Sequence, residues 1–512
     1  MQRILSTGGY KAMRKILLSL ISVLALAALV ACGGSSSNSV TIPSGPSTGN
    51  KAGFSTSSLK GTYVYTAGGA TASNNFATVG VFTADGAGNI TSGTLDYYDD
   101  GGNQIQNQSV TGTYSVNQDG RGQLQLNGTS VQTVYRFVMQ SPISAKLFQF
   151  SGNADATGRI ELQSTVTNNV LGGTSTYIAR FDGEDSGNTN PYAAIGGLTI
   201  SGTSLTGTID ENDAGTFNPQ LAATGTDTAP DANGRGTLTY TTSAGTHNFV
   251  YYWASPSHIE LVSTDKSFFL YGYADLQTSV APTLATFAGD QVFSISGFDS
   301  GGYPVLEAGR LTLDGAGNLT NGIEDYNDAG NYFGAVTYGG TYTVAGNGRW
   351  TAGLTYTSTT ASTMNVVGWQ VSPQQSVVLT TSIVTSAGTT ATLETGTLRA
   401  QTTGITTANI SGNYAEDLSG FSATDNGDVE SIANLDADGQ GNLTGTLDSQ
   451  TPGYFNTDIA DTGIYSILAN GRSPATLGSV PVIMYTVDAD TIYLISSDST
   501  RLYQGKMALQ QP

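Results

Sequence analysis

The chain predicts an all-β body of four tandem antiparallel units. Each reads as an up-and-down barrel of about eight strands, with an immunoglobulin-like sandwich as the alternative. Three observations carry this expectation: an internal repeat marked from the start to the end of each unit, Asp-Gly hairpin signals, and alternating strands with no capped helical stripe outside the N-terminus.

The repeat comes first because it decides the architecture. A Gly-Arg pair recurs at Gly120-Arg121, Gly234-Arg235, Gly348-Arg349 and Gly471-Arg472, at intervals of 114, 114 and 123 residues. An aspartate after a Gly-containing strand recurs at Asp96, Asp210, Asp325 and Asp448. Units open at Gly61-Thr62-Tyr63, Gly289-Asp290-Gln291 and Gly412-Asn413-Tyr414, with Tyr177 at the matching place in the second, and close on Gln163, Gln277, Gln401 and Gln510. The units are expected at 58–170, 171–284, 285–404 and 405–512.

Inside a unit, Asp85-Gly86-Ala87-Gly88-Asn89 turns the chain, as do Asp314 to Asn318 and Asp438 to Asn442; glycines supply the positive φ that tight hairpins require. Gln123-Leu124-Gln125-Leu126 alternates, one face inward and one outward. Ser141-Pro142, Ser255-Pro256 and Ser372-Pro373 mark another turn between aromatic-rich strands. The meander favours a barrel, since a Greek key needs longer crossing connections.

The N-terminus is a delivery device. Arg3, Lys11, Arg14 and Lys15 precede the apolar run Ile16 to Val30, which exits through Leu29-Val30-Ala31-Cys32. A basic segment, an apolar segment and a small-residue exit make a secretory signal; this one resembles a lipobox, with cleavage between Ala31 and Cys32 and lipid on Cys32. The run is shorter than the roughly 20 residues that cross a bilayer, and no basic stop signal follows. Cys32 is the single cysteine, so the exported body must be stable without disulfides. Met13-Arg14-Lys15 is itself a complete basic segment to which residues 1–12 add little, so translation is expected to begin at Met13 rather than Met1. Residues 32–57 read as a flexible tether, and Gly33 after the cysteine, rather than Asp, resembles an outer-membrane sorting signal. The face, periplasmic or exterior, is left open.

Composition narrows function. Removing the signal takes four of 19 basic residues and none of 39 acidic ones, leaving a charge of −24. That opposes nucleic acid, which needs clustered Lys and Arg. Hydrophobic residues at 38% still provide a core, so the body is folded. The only histidines, His247 and His258, both fall in the second unit, and no nucleophile or metal motif surrounds them. Gly45-Pro46-Ser47-Thr48-Gly49 matches a nucleophile elbow by spacing alone, in the tether. No catalytic residue, cofactor or P-loop is indicated.

Acidic clusters recur at one place in each of three units: Asp96/Asp99/Asp100, Asp210/Glu211/Asp213 and Glu324/Asp325/Asp328. Turn chemistry is the expectation, with Asp96, Asp210 and Asp325 as weak calcium candidates and a carbohydrate-active hydrolase as the rival reading. The repeated Arg is expected to be structural and to point outward or snorkel; Trp253 and Trp369 are expected in the core and Trp350 on the surface, where it would suit a sugar.

The Gly-x-Tyr starts, Ala-Asp-Gly-x-Gly-Asn hairpins and Gly-Arg-Gly turns together resemble predicted lipoproteins of environmental bacteria built from tandem all-β repeats. The resemblance covers residues 59–512, strongest in units one and three. It implies lipid anchoring and repeated barrels; the group has no assigned activity and brings no catalytic residues. The expectation is a lipid-anchored envelope protein, a binding or structural surface component for a glycan or envelope protein rather than an enzyme.

Overall fold

The computed structural model describes residues 52–71, 73–128, 132–152, 154–166, 174–185, 190–266, 268–279, 281–357, 362–385, 388–422, 427–451 and 454–512. The export signal, Ala31, Cys32, both start methionines and the tether up to residue 51 lie outside the described residues.

Strands fall in four runs, 60–162, 174–276, 289–400 and 411–509. In the first, β1 (Lys60–Ala70), β2 (Asn75–Asp85), β3 (Asn89–Asp99), β4 (Gln104–Ser109), β5 (Thr111–Val116), β6 (Arg121–Asn127), β7 (Gln132–Ser141), β8 (Ser144–Gln149) and β9 (Asp155–Leu162) follow one another as a meander. Closure comes from β1, which pairs with β2 on one side and β9 on the other. Short β4 and β5 together take the place of one continuous strand in the other units, such as Thr216–Asp227. Each unit is therefore a closed antiparallel barrel of eight strands. Closure removes the open edges that a sandwich would leave, and the sandwich alternative falls away.

The hairpin signals form as written. Asp85 Oδ1 accepts from the Ala87 and Asn89 amides at 2.7 and 3.0 Å, and Asp314 and Asp438 repeat the pattern. The Tyr of the Gly-x-Tyr start also has a fixed partner. Tyr63 donates to the Pro142 carbonyl at 2.9 Å and Tyr177 to the Pro256 carbonyl at 2.8 Å, joining the first strand to the Ser-Pro turn.

Each barrel has its own apolar core, and four further apolar clusters lie between barrels. Val79, Val81 and Tyr98 of the first pack on Val250, Tyr252 and Val262 of the second. Ile178 and Ile195 of the second meet Trp369 and Leu379 of the third. Val292 and Leu306 of the third meet Ile483 and Tyr485 of the fourth. The last cluster joins Val138 and Phe148 of the first barrel to Ala415 and Ile432 of the fourth. The barrels thus close into a ring rather than trailing off as a string.

Trp350 corrects an expectation. It is buried in the third core at 5% exposure, beside Phe287. Successive strand residues face opposite sides, so with Arg349 directed at a neighbouring barrel Trp350 must face inward. Trp253 and Trp369 are buried too.

Candidate functional site

The repeated Asp and Arg meet, but across barrels. Arg235 of the second barrel binds Asp96 of the first through Nε and Nη2, both at 2.8 Å. Arg349 of the third binds Asp210 of the second at 2.8–3.1 Å, and Arg472 of the fourth binds Asp325 of the third through two bonds of 2.7 Å. Arg121 of the first barrel reaches Asp448 of the fourth at 2.7 Å, which closes the ring. The fork of a guanidinium on a carboxylate is the strongest and most directional ion pair available.

Each aspartate is satisfied on all sides. Asp96, Asp210 and Asp325 have no exposed surface, and a buried carboxylate is tolerated only when paired and hydrogen-bonded. A backbone amide at a strand bulge supplies one bond: Asn107, Gln220, Ala335 and Asp458 donate to Asp96, Asp210, Asp325 and Asp448 at 2.9–3.2 Å. All four donors have φ between 49° and 57°. An aromatic donor cross-strand from the Arg supplies another: Tyr252 and Trp369 at 2.8 Å, Tyr485 at 2.5 Å. At the closing junction Val138 stands opposite Arg121, and Arg136 approaches Asp448 at 3.6 Å instead.

The Gly before each Arg and the Gln at each unit's end belong to the same joint. Gln163 donates to the carbonyls of Asn233 and Trp253, Gln277 to those of Asn347 and Gln370, and Gln401 to that of Thr486. Gln510 reaches back to Asp119 and Met139 in the first barrel. A Cβ at Gly348 would stand 2.3 Å from the Gln277 amide nitrogen, at a φ of +92° that side chains disfavour. The glycine is therefore needed for both its turn and its neighbour.

These positions correct two expectations. The aspartates sit within strands, not in turns, and the arginines are neither outward nor snorkelling. Adjacent acids are separated because they face opposite sides: Asp325 faces the fourth barrel while Glu324 points into the third. Of the cited neighbours, Asp99 caps a loop, accepting from the Asn103 amide, and Asp100 accepts from the Asn75 amide. With arginine already filling the carboxylates, calcium has no free ligand set at Asp96, Asp210 or Asp325. A melt in millimolar calcium against EGTA is expected to show no calcium-specific rise, whereas a site at hundredfold excess over Kd would add about 2.7 kcal/mol.

A group missed in the sequence lies at the junction of the first and second barrels. His258 Nδ1 meets Asp275 at 2.6 Å and Nε2 meets Glu260 at 2.9 Å, with Glu161 beside them. Glu161, His258 and Glu260 are close enough to share a metal, but Arg159 already contacts both Glu260 and His258 and stacks 4.7 Å over Tyr273. Burial opposes charge on His258, yet hydrogen bonds to Asp275 and Glu260 outweigh it and push its pKa up to about 10. The cluster holds its own cations and acts as a junction. No motif pointed to it, because its members come from two units. His247 lies in the second barrel core, held neutral by burial with a pKa near 4.

Fold and junctions define the chain as a ring of four tandem up-and-down β-barrels. No family model matches the chain, and no curated protein matches it. Among solved structures, it is similar to isotype 1 transferrin binding protein B of serogroup B Neisseria meningitidis, at 9% identity and a TM-score of 0.19 over 73% of this chain and 82% of that one. It is also similar to a mutant of the vaccine antigen transferrin binding protein B from Haemophilus parasuis Hp5, at 13% identity and a TM-score of 0.18 over 71% and 81%.

Proposed function

We propose that the chain is a lipid-anchored envelope protein, held in the outer membrane through acylated Cys32, whose barrel ring is a rigid binding or structural component for a glycan or an envelope protein. The observation that carries this reading is the ring's closure. Arg121–Asp448 and the Gln510 bonds join the last barrel to the first. The body begins at that seam, where Gly53 donates to the Gln118 carbonyl at 2.9 Å. The tether therefore leaves from one point of a body whose parts are locked together, an arrangement suited to display. The acids a hydrolase would use at Asp96, Asp210 and Asp325 are bound to arginine, which weakens the rival reading.

Anchoring is tested by labelling. Cys32→Ser is expected to abolish palmitate incorporation and to move the protein out of the membrane fraction. Unchanged labelling would overturn the anchor. A glycan-array and hydrolase-substrate screen on the mature chain tests the rest: selective capture without turnover is the expected result, and turnover would favour the enzyme reading.

A further inference from the structure

The third barrel differs inside from its siblings. Strand register places Glu307, Glu324 and Glu394 on its inner face, paired with Ile295, Gly309 and Gly297. The equivalent positions hold Thr78, Leu95 and Ala156 in the first barrel, Ala194, Ile209 and Leu270 in the second, and Ser431, Leu447 and Tyr503 in the fourth. All three glutamates are at least 96% buried, and each leaves its Oε2 without a hydrogen-bond partner. Unpartnered buried oxygens are costly, and three in one barrel call for an explanation.

The same barrel has space inside. A cavity of about 40 Å³ is walled by Phe293, Leu311, Trp350, Leu354, Met364 and Val366, with Glu324 as its one charged lining residue. Phe293 and Val366 keep 7% exposure around it, where Phe181 and Tyr240 of the second core have none. Room for about three or four waters is room for a short alkyl chain, and an apolar wall holds water poorly.

We propose that the interior of the third barrel binds a small alkylammonium ligand, its apolar body in the cavity beside Trp350 and its ammonium on the Glu324 carboxylate. Arginine and lysine are missing from the cavity wall, so the positive partner must come from the ligand. Phe293 and Trp350 line the cavity, and aromatic rings favour a cation over a neutral group of the same shape. In the empty barrel burial, more than any neighbour, pushes the Glu324 carboxyl up to about 8, so it is protonated at neutral pH. An arriving ammonium stabilises the ionised form, and the Glu324 proton leaves to solvent. The inference goes beyond envelope display and does not depend on Cys32.

The test is calorimetric titration of the full-length protein in detergent with n-butylammonium chloride, and with n-butanol as the neutral match. It is run at pH 6.5 in two buffers of different ionisation enthalpy. The expected result is saturable binding, release of about one proton per ligand, and binding of butanol weaker by about tenfold or more. Glu324→Leu, the residue at this place in two sibling barrels, is expected to keep the fold and to lose both the proton release and the preference for the amine. Absence of saturable binding, equal binding of butanol, or proton release that survives in Glu324→Leu overturns the proposal.

Discussion

Asp325→Ala is expected to destabilise the protein by about 3–5 kcal/mol, the range for breaking a buried ion pair by removing one partner. Asp325 accepts two bonds from Arg472, one each from Tyr332 and Tyr485, and one from the Ala335 amide. Its removal leaves a guanidinium with 14% side-chain exposure and no carboxylate, two phenols without acceptors, and a bulge without its bond. Asp325→Asn keeps the shape and part of the bonding, so its loss is expected to be smaller. Replacing both Asp325 and Arg472 by leucine should recover part of the deficit, because the stranded charge is gone. Urea unfolding followed by tryptophan fluorescence measures this, since Trp350 reports on the third barrel and Trp369 on its face toward the second. A loss under about 1 kcal/mol would put the joint in the class of exposed ion pairs and remove it as the lock of the ring.

The second large effect is on pH. Glu324 and Glu394 are pushed up to about 8 and about 7, in each case by burial first, and Glu307 is raised by burial and by its two neighbours. The unfolded chain loses these protons near the ordinary value of 4.5, so between there and about 8 the folded state holds more protons than the unfolded one. Stability therefore falls as pH rises through this window. The opposite slope lies lower. Glu260, with a pKa near 2, stabilises above the ordinary carboxylate value and loses that contribution as pH falls toward 2. Maximum stability is expected at mildly acidic pH. Glu324→Leu should flatten the upper limb and raise stability at pH 8 by a few kcal/mol, since each pKa unit corresponds to 1.36 kcal/mol. A melting series from pH 4 to 9 on both proteins measures it; parallel curves would show that the third barrel's carboxyls do not titrate with folding.

Much of the architecture was legible in the chain. Short-range rules suffice for a meander: alternating strands, Asp85-Gly86 and its counterparts at hairpins, and a spacing of Gly-Arg pairs that counts barrels. The repeat markers were legible as markers, yet their meaning was not. Asp96 and Arg235 are 139 residues apart, and each repeated Arg finds its repeated Asp in another unit. Periodicity reports that a residue is needed at a position, not which copy supplies its partner. The same limit hid His258 with Arg159, which no local motif joins, and it placed Trp350 on the surface until Arg349 was seen to face a neighbour.

By itself the sequence determined the strand content, the number of units and the turns, because backbone conformation and side-chain alternation depend on residues a few positions apart. Only the tertiary structure decided that the units form a ring, that Gln510 returns to Asp119 and Met139, and that Glu324 faces inward while Asp325 faces the next barrel. Those outcomes depend on burial and on partners hundreds of residues distant, where a carboxylate is stable only if a guanidinium from another barrel arrives at the right distance.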